Sequence, residues 1–499
     1  MPRTVVTSSF PPGQGAALLQ PRADVVFEED AGNGRFTACR GPVQGYERRV
    51  EVAEDGSATQ TVEYTLNLPY FWWLFSAAFR RRVAGAPRKD VPWWAPPEPL
   101  DARAAGALDS LAAIAVVLGY LNTLFTQTIA FAGEEFGAGS SAQGVAGSIV
   151  RLGGLLALMI VAVADRRGRR RILLTVSLLG CTLAVSGALA PSLAWLTASQ
   201  TAARGCATAL LLLVGILAAE EVPARCRAYA VSLLAMAGGL GAGMALVALN
   251  LADLGERGWR LIYLVPVLGI PIVATVRKRL RESRRFLAPH RNVKIAGHGG
   301  RLALLAVSGF LSNIFVAPQS QFLGRYLRTE HNFSAGRISL LALVTGAPGA
   351  IGIVVGGRLA DLRGRRQVAT VALLGGSACT VGFFFANGWA IWAFPLVGTM
   401  LNAATVPALG VYGPELFPTS LRGRANGLIG MCALVGSAAG LALAGFLGDY
   451  FGRLGPAMAI LATGPVLVAA LIALAYPETA GRELEDLNPE DVPPPAFPA

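Results

Sequence analysis

Two arginines stand inside long apolar runs, where an ionised side chain is costly. Arg151 and Arg204 each lie well within a run of more than 20 mostly apolar residues. A charge in such a place is a candidate functional group, because it must find a partner or face a polar cavity. A guanidinium group binds carboxylates through two parallel hydrogen bonds. The pair therefore predicts a site for an organic anion. The alternative is that both heads snorkel outward and pair with Glu134 and Glu135.

Other polar groups in these runs are neutral. No acidic residue or histidine lies at the centre of any run, so a coupled proton has few candidate carriers. Glu134 and Glu135, at the end of the first run, are those candidates. Amide side chains in the runs could add neutral hydrogen bonds to a bound solute: Asn122, Gln127, Asn313, Gln319 and Asn402.

A second set of charged residues occurs twice along the chain. The first copies are Asp165, Gly168, Arg169, Glu220, Arg227 and Glu282, and the second copies are Asp361, Gly364, Arg365, Glu415, Arg422 and Glu478. Each member returns after 195 or 196 residues. Such self-similarity at one offset indicates a duplicated unit. The glycine permits a tight turn, and the aspartate can accept N–H groups at the start of the next helix.

The elements that position these residues are membrane-spanning helices. The chain is 53% hydrophobic and only 15% charged, with a mean hydropathy of +0.51. A helix needs about 20 apolar residues to cross a bilayer, and twelve runs qualify: 107–132, 143–164, 171–190, 193–219, 228–251, 259–276, 302–324, 338–360, 367–387, 389–412, 425–446 and 455–476. We therefore expect an all-α polytopic membrane protein. Two pseudo-symmetric six-helix bundles, 107–276 and 302–476, are joined by a central loop over 277–301.

The arginines set the orientation. Most of them fall in the even-numbered gaps between runs, and cytoplasmic loops carry an excess of basic residues. This pattern predicts that both termini and the tail 477–499 are cytoplasmic. It also accounts for the net charge of +12 without a nucleic-acid partner. The scarcity of lysine beside abundant arginine, glycine and alanine is typical of a GC-rich bacterial genome, which places the protein in a bacterial plasma (inner) membrane.

The first hundred residues differ in composition from the rest. Short alternating segments around Asp55-Gly56 predict a hairpin and a small β-containing cytoplasmic region over 1–86. Aromatic residues followed by an arginine cluster predict a helix over 69–83. This helix either lies in the membrane interface or packs on the β-rich region itself. Five prolines make 87–106 a semi-rigid linker to the first span.

The doubled motif resembles the signature loop of the major facilitator superfamily, G-x-x-x-D-x-x-G-R-[KR]. The second copy matches from Gly357 to Arg366, whereas the first has Val161 at the first glycine. Within this superfamily the chain is most similar to the sugar-porter and metabolite–proton symporter branch. Glu415-x-x-Pro418-x-x-x-Arg422-Gly423 and the segment from Pro477 to Glu485 carry that similarity. The resemblance implies that the doubled charged residues gate alternating access.

Departures from the branch limit the substrate. Gly119-Tyr120 is followed by Leu121 rather than the aspartate that the branch uses for protons, and the seventh run lacks the adjacent glutamines of sugar porters. The resulting hypothesis is a monomeric secondary transporter of an organic anion or similar metabolite, coupled to protons. Efflux of apolar compounds and solute sensing through residues 1–100 are the alternatives. We expect no cofactor, metal site or enzymatic activity, because no nucleophile, phosphate-loop or metal-ligand pattern occurs.

Overall fold

The first part of the chain forms a five-stranded antiparallel sheet. The fold is a computed structural model that describes residues 3–13, 15–88, 90–92, 94–96, 98–223, 226–280, 298–410, 412–417 and 422–478. The strands are β1 (Thr4–Phe10), β2 (Phe27–Gly32), β3 (Arg35–Arg40), β4 (Val43–Val52) and β5 (Ala58–Leu66), in the order β1-β5-β4-β3-β2. A single helical turn, α1 (Gly15–Leu18), follows β1. The sheet confirms the predicted β-containing region.

The predicted hairpin is the centre of this sheet. β4 and β5 pair up to Val52 and Ala58, and Gly56 in the turn has a φ of 79°. Sequence patterning missed β1, because only Val6 of its side chains is buried. A buried ion pair between Arg48 and Glu28 (2.6 Å) crosses the interior of the sheet.

Helix α2 (Trp72–Ala84) follows the sheet and has two different faces. Phe79 and Val83 are buried against the sheet, beside Val62 and Tyr64. The first turn instead exposes Trp73, which is 60% accessible, together with its neighbours. The helix therefore packs on the sheet through one face and leaves an apolar first turn uncovered.

In the described residues, twelve long helical segments follow, which we call spans 1 to 12, and a short helix, Tyr412–Glu415, lies between spans 10 and 11. Their bounds are Ala102–Glu135, Ser140–Arg167 (with a 3₁₀ turn at Gly153–Leu155), Arg169–Ser186, Leu193–Glu221, Arg227–Ala248, Trp259–Arg279 (interrupted near Val265–Leu268), Gly299–Thr329, Ala335–Arg363 (broken after Gly346), Arg365–Phe383, Ala390–Gly410, Arg422–Phe451 and Leu454–Ala475 (broken after Leu461). In the described residues, eleven of them are long and apolar enough to cross a membrane. Span 9 is the exception, because its 19 residues begin with two arginines and a glutamine.

Span 1 begins earlier than predicted. Asp101 caps the helix by accepting the N–H of Ala104 (2.6 Å), so the predicted linker ends at 101 rather than 106. The span then runs for 34 residues, longer than a bilayer core requires. Its first turn contacts the sheet region, where the side chain of Asn67 donates to the main-chain carbonyl of Ala102.

The two halves pack with the symmetry that the repeat predicts. Span 1 packs on span 5 within the first half, and span 7 packs on span 11 within the second. The halves meet where span 2 contacts span 11 and where span 5 contacts span 8. We call the end with the loops at 166–171 and 363–366 the basic end, and the other the opposite end.

The sheet region is attached to the first half. The carboxylate of Asp109 in span 1 accepts the N–H groups of Tyr70 (2.7 Å) and Phe71 (3.1 Å). The hydroxyl groups of Tyr70 and Thr275 in span 6 are 2.6 Å apart, and Tyr229 in span 5 donates to the carbonyl of the linker residue Trp94 (3.2 Å). Three spans of one bundle therefore hold the sheet region in place.

Candidate substrate cavity and gates

Spans 2 and 4 bring Arg151 and Arg204 together. The two helices approach closely at Gly153, where an added Cβ would lie 2.3 Å from the carbonyl oxygen of Thr201. The 3₁₀ turn of span 2 begins at the same glycine. Gly153 follows Arg151 by two residues and Thr201 precedes Arg204 by three, so the close approach lies beside both arginines, and both line the same cavity.

This cavity is small, with a volume of about 10 Å³, which is room for about one water molecule. It lies where Gln321 of span 7 meets spans 1, 2 and 4 of the first half. Its lining comes from spans 1, 2, 4 and 7: Leu121, Asn122, Phe125, Thr126, Gly147, Val150, Arg151, Gln200, Ala203, Arg204 and Gln321. Arg204 donates to the main-chain carbonyl of Asn122 (2.9 Å). In the described part of the chain, the Nε atom of Arg204 is buried and has no hydrogen-bond partner. A buried donor without a partner costs about 1–3 kcal/mol, and an anionic ligand would remove that cost.

Few of the predicted neutral residues line this cavity. Asn122 does, but Gln127 and Gln319 are not among its lining residues. Asn313 donates to Gly309 of its own helix and accepts from Ser437, and Asn402 packs against Gly376 of span 9. The amides of Asn313 and Asn402 therefore serve contacts within the second half.

Sequence reasoning missed three polar residues that do line the cavity. They are Thr126, Gln200 and Gln321. Gln200 precedes Arg204 by four residues and so shares its helix face, which was the available signal. Gln321 reaches across from span 7 and donates to the carbonyl of Gln143 in span 2 (3.0 Å). That hydrogen bond joins the two halves beside the cavity.

The snorkelling alternative for the arginines is not what the structure shows. Both carboxylate oxygens of Glu134 accept a hydrogen bond from Nε of Arg328 in span 7 (2.6 and 2.7 Å). Glu135 binds Arg260 (2.8 Å) and the indole N–H of Trp259 (2.7 Å). Both carboxylates are thus engaged at the opposite end, and Glu134 joins the two halves.

Two aspartates also join the halves at the opposite end, and sequence reasoning missed both. Asp449 of span 11 accepts the N–H groups of Ser140 (2.8 Å) and Ser141 (2.7 Å) at the start of span 2. Asp253, after span 5, accepts the N–H groups at the start of span 8, from Ala335 and Gly336 (2.8 Å each). The aspartates are 196 residues apart, so each half caps a helix of the other half in the same way.

The doubled motifs lie at the basic end. Gly168 and Gly364 have φ values of 98° and 96°, and each precedes the first residue of the next span. This left-handed backbone explains why both copies need glycine. Arg169 forms a close ion pair with Glu220, within the first half.

In the second half, Glu478 accepts the N–H groups of Arg365 (3.0 Å) and Arg366 (3.2 Å) at the start of span 9. Glu478 therefore caps the start of span 9, a role that the sequence analysis assigned to Asp361. The side chains of Asp165, Arg227, Asp361, Glu415 and Arg422 lie outside the described residues, and so does Glu282.

Together, the twelve spans, the internal symmetry and a polar cavity between the halves define the class as a polytopic membrane transporter. The family model of the Major Facilitator Superfamily matches residues 111–293 and 302–498. The chain belongs to this superfamily, whose members are transporters and not enzymes.

Solved transporters share the fold at low sequence identity. A bacterial homologue of the human lysosomal transporter Spinster, in an inward-facing conformation, has a TM-score of 0.64 at 15% identity, over 79% of this chain and 99% of that one. The inward-open xylose transporter XylE from E. coli has a TM-score of 0.61 at 17% identity, over 77% and 98%. The nucleoside transporter NupG has a TM-score of 0.63 at 11% identity, over 74% and 100%.

One curated relative is similar in sequence. The human solute carrier family 22 member 13 is 34% identical over 122 residues, which is 24% of this chain. The match spans about a fifth (21%) of that relative's length.

Proposed function

We propose that the protein carries a small organic anion across the membrane by alternating access, and that Arg204 and Arg151 bind the anion. The supporting observation is the buried, unpartnered Nε of Arg204 beside the second arginine. No carboxylate is among the lining residues of this cavity in the described chain, so the site carries an excess of positive charge. The cavity has room for about one water molecule in this state, so binding of the anion would require spans 1, 2, 4 and 7 to move apart. Asn122, Gln200 and Gln321 would then complete the hydrogen bonding.

The positive-inside pattern makes the basic end cytoplasmic. The contacts between the halves that we describe all lie toward the opposite end, which would then be closed to the outside. We therefore propose that the opposite end faces outward and is closed by these contacts, and that both termini lie in the cytoplasm of a bacterial cell.

Substitution of Arg204 tests the binding site. Uptake of radiolabelled organic acids would be measured in proteoliposomes that contain Arg204→Ala, Arg204→Lys or, as a matched control, the exposed Arg337→Ala. Loss of a charge-assisted pair costs about 1.5–3 kcal/mol, so we expect KM to rise at least about tenfold for the alanine variant. The lysine variant should retain part of the affinity. Equal uptake by Arg204→Ala and the control would refute the proposal.

We also propose that transport is coupled to protons through Glu134. Its ion pair with Arg328 links span 1 to span 7. Protonation of Glu134 would remove the charge that holds Arg328, and so would favour opening at that end. An imposed pH gradient should drive accumulation in the parent protein but not in Glu134→Gln. Accumulation that survives a proton ionophore would contradict this coupling.

A further inference from the structure

A large apolar cavity lies between the sheet region, the linker and the first bundle. Its volume is about 440 Å³, within the range of about 300–1,000 Å³ that is usual for small-molecule sites. Leu66 and Leu68 line it from the sheet side, Leu100 from the linker and Leu108 from span 1. One face of span 5 forms the remaining wall, through Tyr229, Leu233, Met236, Ala237 and Leu240.

The carboxylates and the tyrosine hydroxyl in this wall already have partners. Asp109 accepts two main-chain N–H groups, Asp24 pairs with Arg22 and Arg82, and Tyr229 donates to a carbonyl. Among its described lining residues, the cavity therefore offers mainly hydrocarbon contacts, and the indole N–H groups of Trp73 and Trp94 are the remaining polar groups. Such a space favours an apolar chain over a metabolite or water.

The mouth of the cavity is apolar and exposed. Met236 and Leu240 of span 5 are 67% and 51% accessible, and Trp73 of α2 is 60% accessible. Because span 5 crosses the membrane, its exposed apolar face contacts lipid hydrocarbon. The cavity is therefore continuous with the lipid tails at the level where α2 lies.

Helix α2 carries the features of a headgroup site beside this mouth. Trp73 and Arg80 are seven residues apart, so they share one helix face. Arg80 and Arg81 are both exposed, two turns beyond the apolar first turn. An apolar first turn and a basic last turn match the boundary between acyl chains and anionic headgroups.

We propose that this cavity binds a membrane phospholipid with an anionic headgroup, whose acyl chain fills the cavity while Arg80 and Arg81 contact the phosphate. The lipid completes the interface between the sheet region and the first bundle. An acyl chain that moves from the bilayer into an apolar cavity stays in a similar environment. The preference for anionic lipid therefore comes from the two arginines.

Photo-crosslinking of the full-length protein in liposomes tests this proposal. Phosphatidylglycerol or phosphatidylcholine with a diazirine in the acyl chain would be irradiated, and labelled residues mapped by mass spectrometry. Leu100 and Leu108 are only 4% and 3% accessible, so their labelling reports the cavity and not the surrounding bilayer. We expect both to be labelled by phosphatidylglycerol.

Variants separate the cavity from the headgroup site. Ala237→Trp fills the cavity and should reduce labelling of Leu100 and Leu108 at least fivefold, whereas Val231→Trp, exposed on the same span, should not. Arg80→Gln with Arg81→Gln should reduce the preference for phosphatidylglycerol by about fivefold per arginine, with the cavity residues still labelled. This second pair of variants lies on an exposed surface and does not depend on tolerance of the tryptophan.

Three results would overturn the proposal. They are absence of labelling at Leu100 and Leu108, equal labelling in Ala237→Trp and the parent, and labelling by a diazirine fatty acid but by neither phospholipid. The last result would identify a free fatty acid as the occupant.

Discussion

The two aspartate caps at the opposite end predict how the equilibrium between transport states responds to mutation. Asp449 and Asp253 each hold two N–H groups of a helix in the other half. Opening of the opposite end would separate the halves and break these contacts. Asparagine keeps the size of the side chain but removes its charge, so Asp449→Asn and Asp253→Asn should shift the equilibrium toward opening at that end.

The size of the shift follows from the geometry and the exposure. A charge at a helix N-terminus is worth about 0.3–1 kcal/mol, and a charged hydrogen bond adds to this value. Both aspartates are exposed, and solvent screening limits the total to about 1 kcal/mol each. Each single variant should therefore shift the ratio of states about fivefold. The caps are on different spans, so the double variant should shift it about thirtyfold if the effects add.

Distances between spin labels at the opposite end measure this ratio. Pro191 and Asn387 lie in exposed loops of the two halves and suit a label pair in a cysteine-free background. The population with a long distance should grow from the parent to the single and then the double variant. Glu256→Gln, which removes an exposed carboxylate at the same end, is the control. A double variant with the same distribution as the control would refute the reasoning.

Three further predictions concern stability. Gly364→Ala should lower the thermal midpoint in detergent more than Gly346→Ala, because only the first has a positive φ and its Cβ would lie 2.9 Å from Glu478. Burial raises the pKa of Tyr64 to about 12 from 10.0. The neutral phenol therefore contributes fully to stability below pH 10, and this contribution is lost as the pH rises to 12. Tyr64→Phe should remove this loss of stability in an alkaline unfolding titration. Asp109→Asn should weaken attachment of the sheet region and speed limited proteolysis of the linker, by about tenfold if 1.4 kcal/mol of the two bonds is lost.

The fold was predictable because its signals are local or periodic. Apolar runs mark the spans, and a charged motif that recurs after 196 residues marks the duplication. The glycine of that motif was also predictable, because a tight turn between helices requires a positive φ. The start of span 1 was predicted five residues late, because Asp101 and the polar first turn extend the helix beyond its apolar run.

The caps and the cavity lining depend on how distant elements pack, and the sequence alone does not reveal this. Asp253 and Asp449 look like ordinary loop carboxylates until spans 2 and 8 are placed beside them. Gln321 lies two residues from the predicted Gln319, and only the helix face that meets span 2 distinguishes them. Asn313 and Asn402 were predicted by residue type and stay predictions, and in the structure each contacts a neighbouring helix of the second half.

Some features of the protein occur in both halves of the repeat, and others occur in the first half alone. The caps and the turn glycines have counterparts 195 or 196 residues away, because both bundles must close against each other at the same kinds of contact. The cavity arginines have none, since Gly346 and Thr399 occupy the positions 195 residues after Arg151 and Arg204. Among the described residues, the contacts that attach the sheet region are likewise with the first bundle, through Asp109, Thr275 and Tyr229. Recognition of an anion and any influence of the sheet region would therefore both act on the first bundle, while the symmetric contacts transmit the movement to the second.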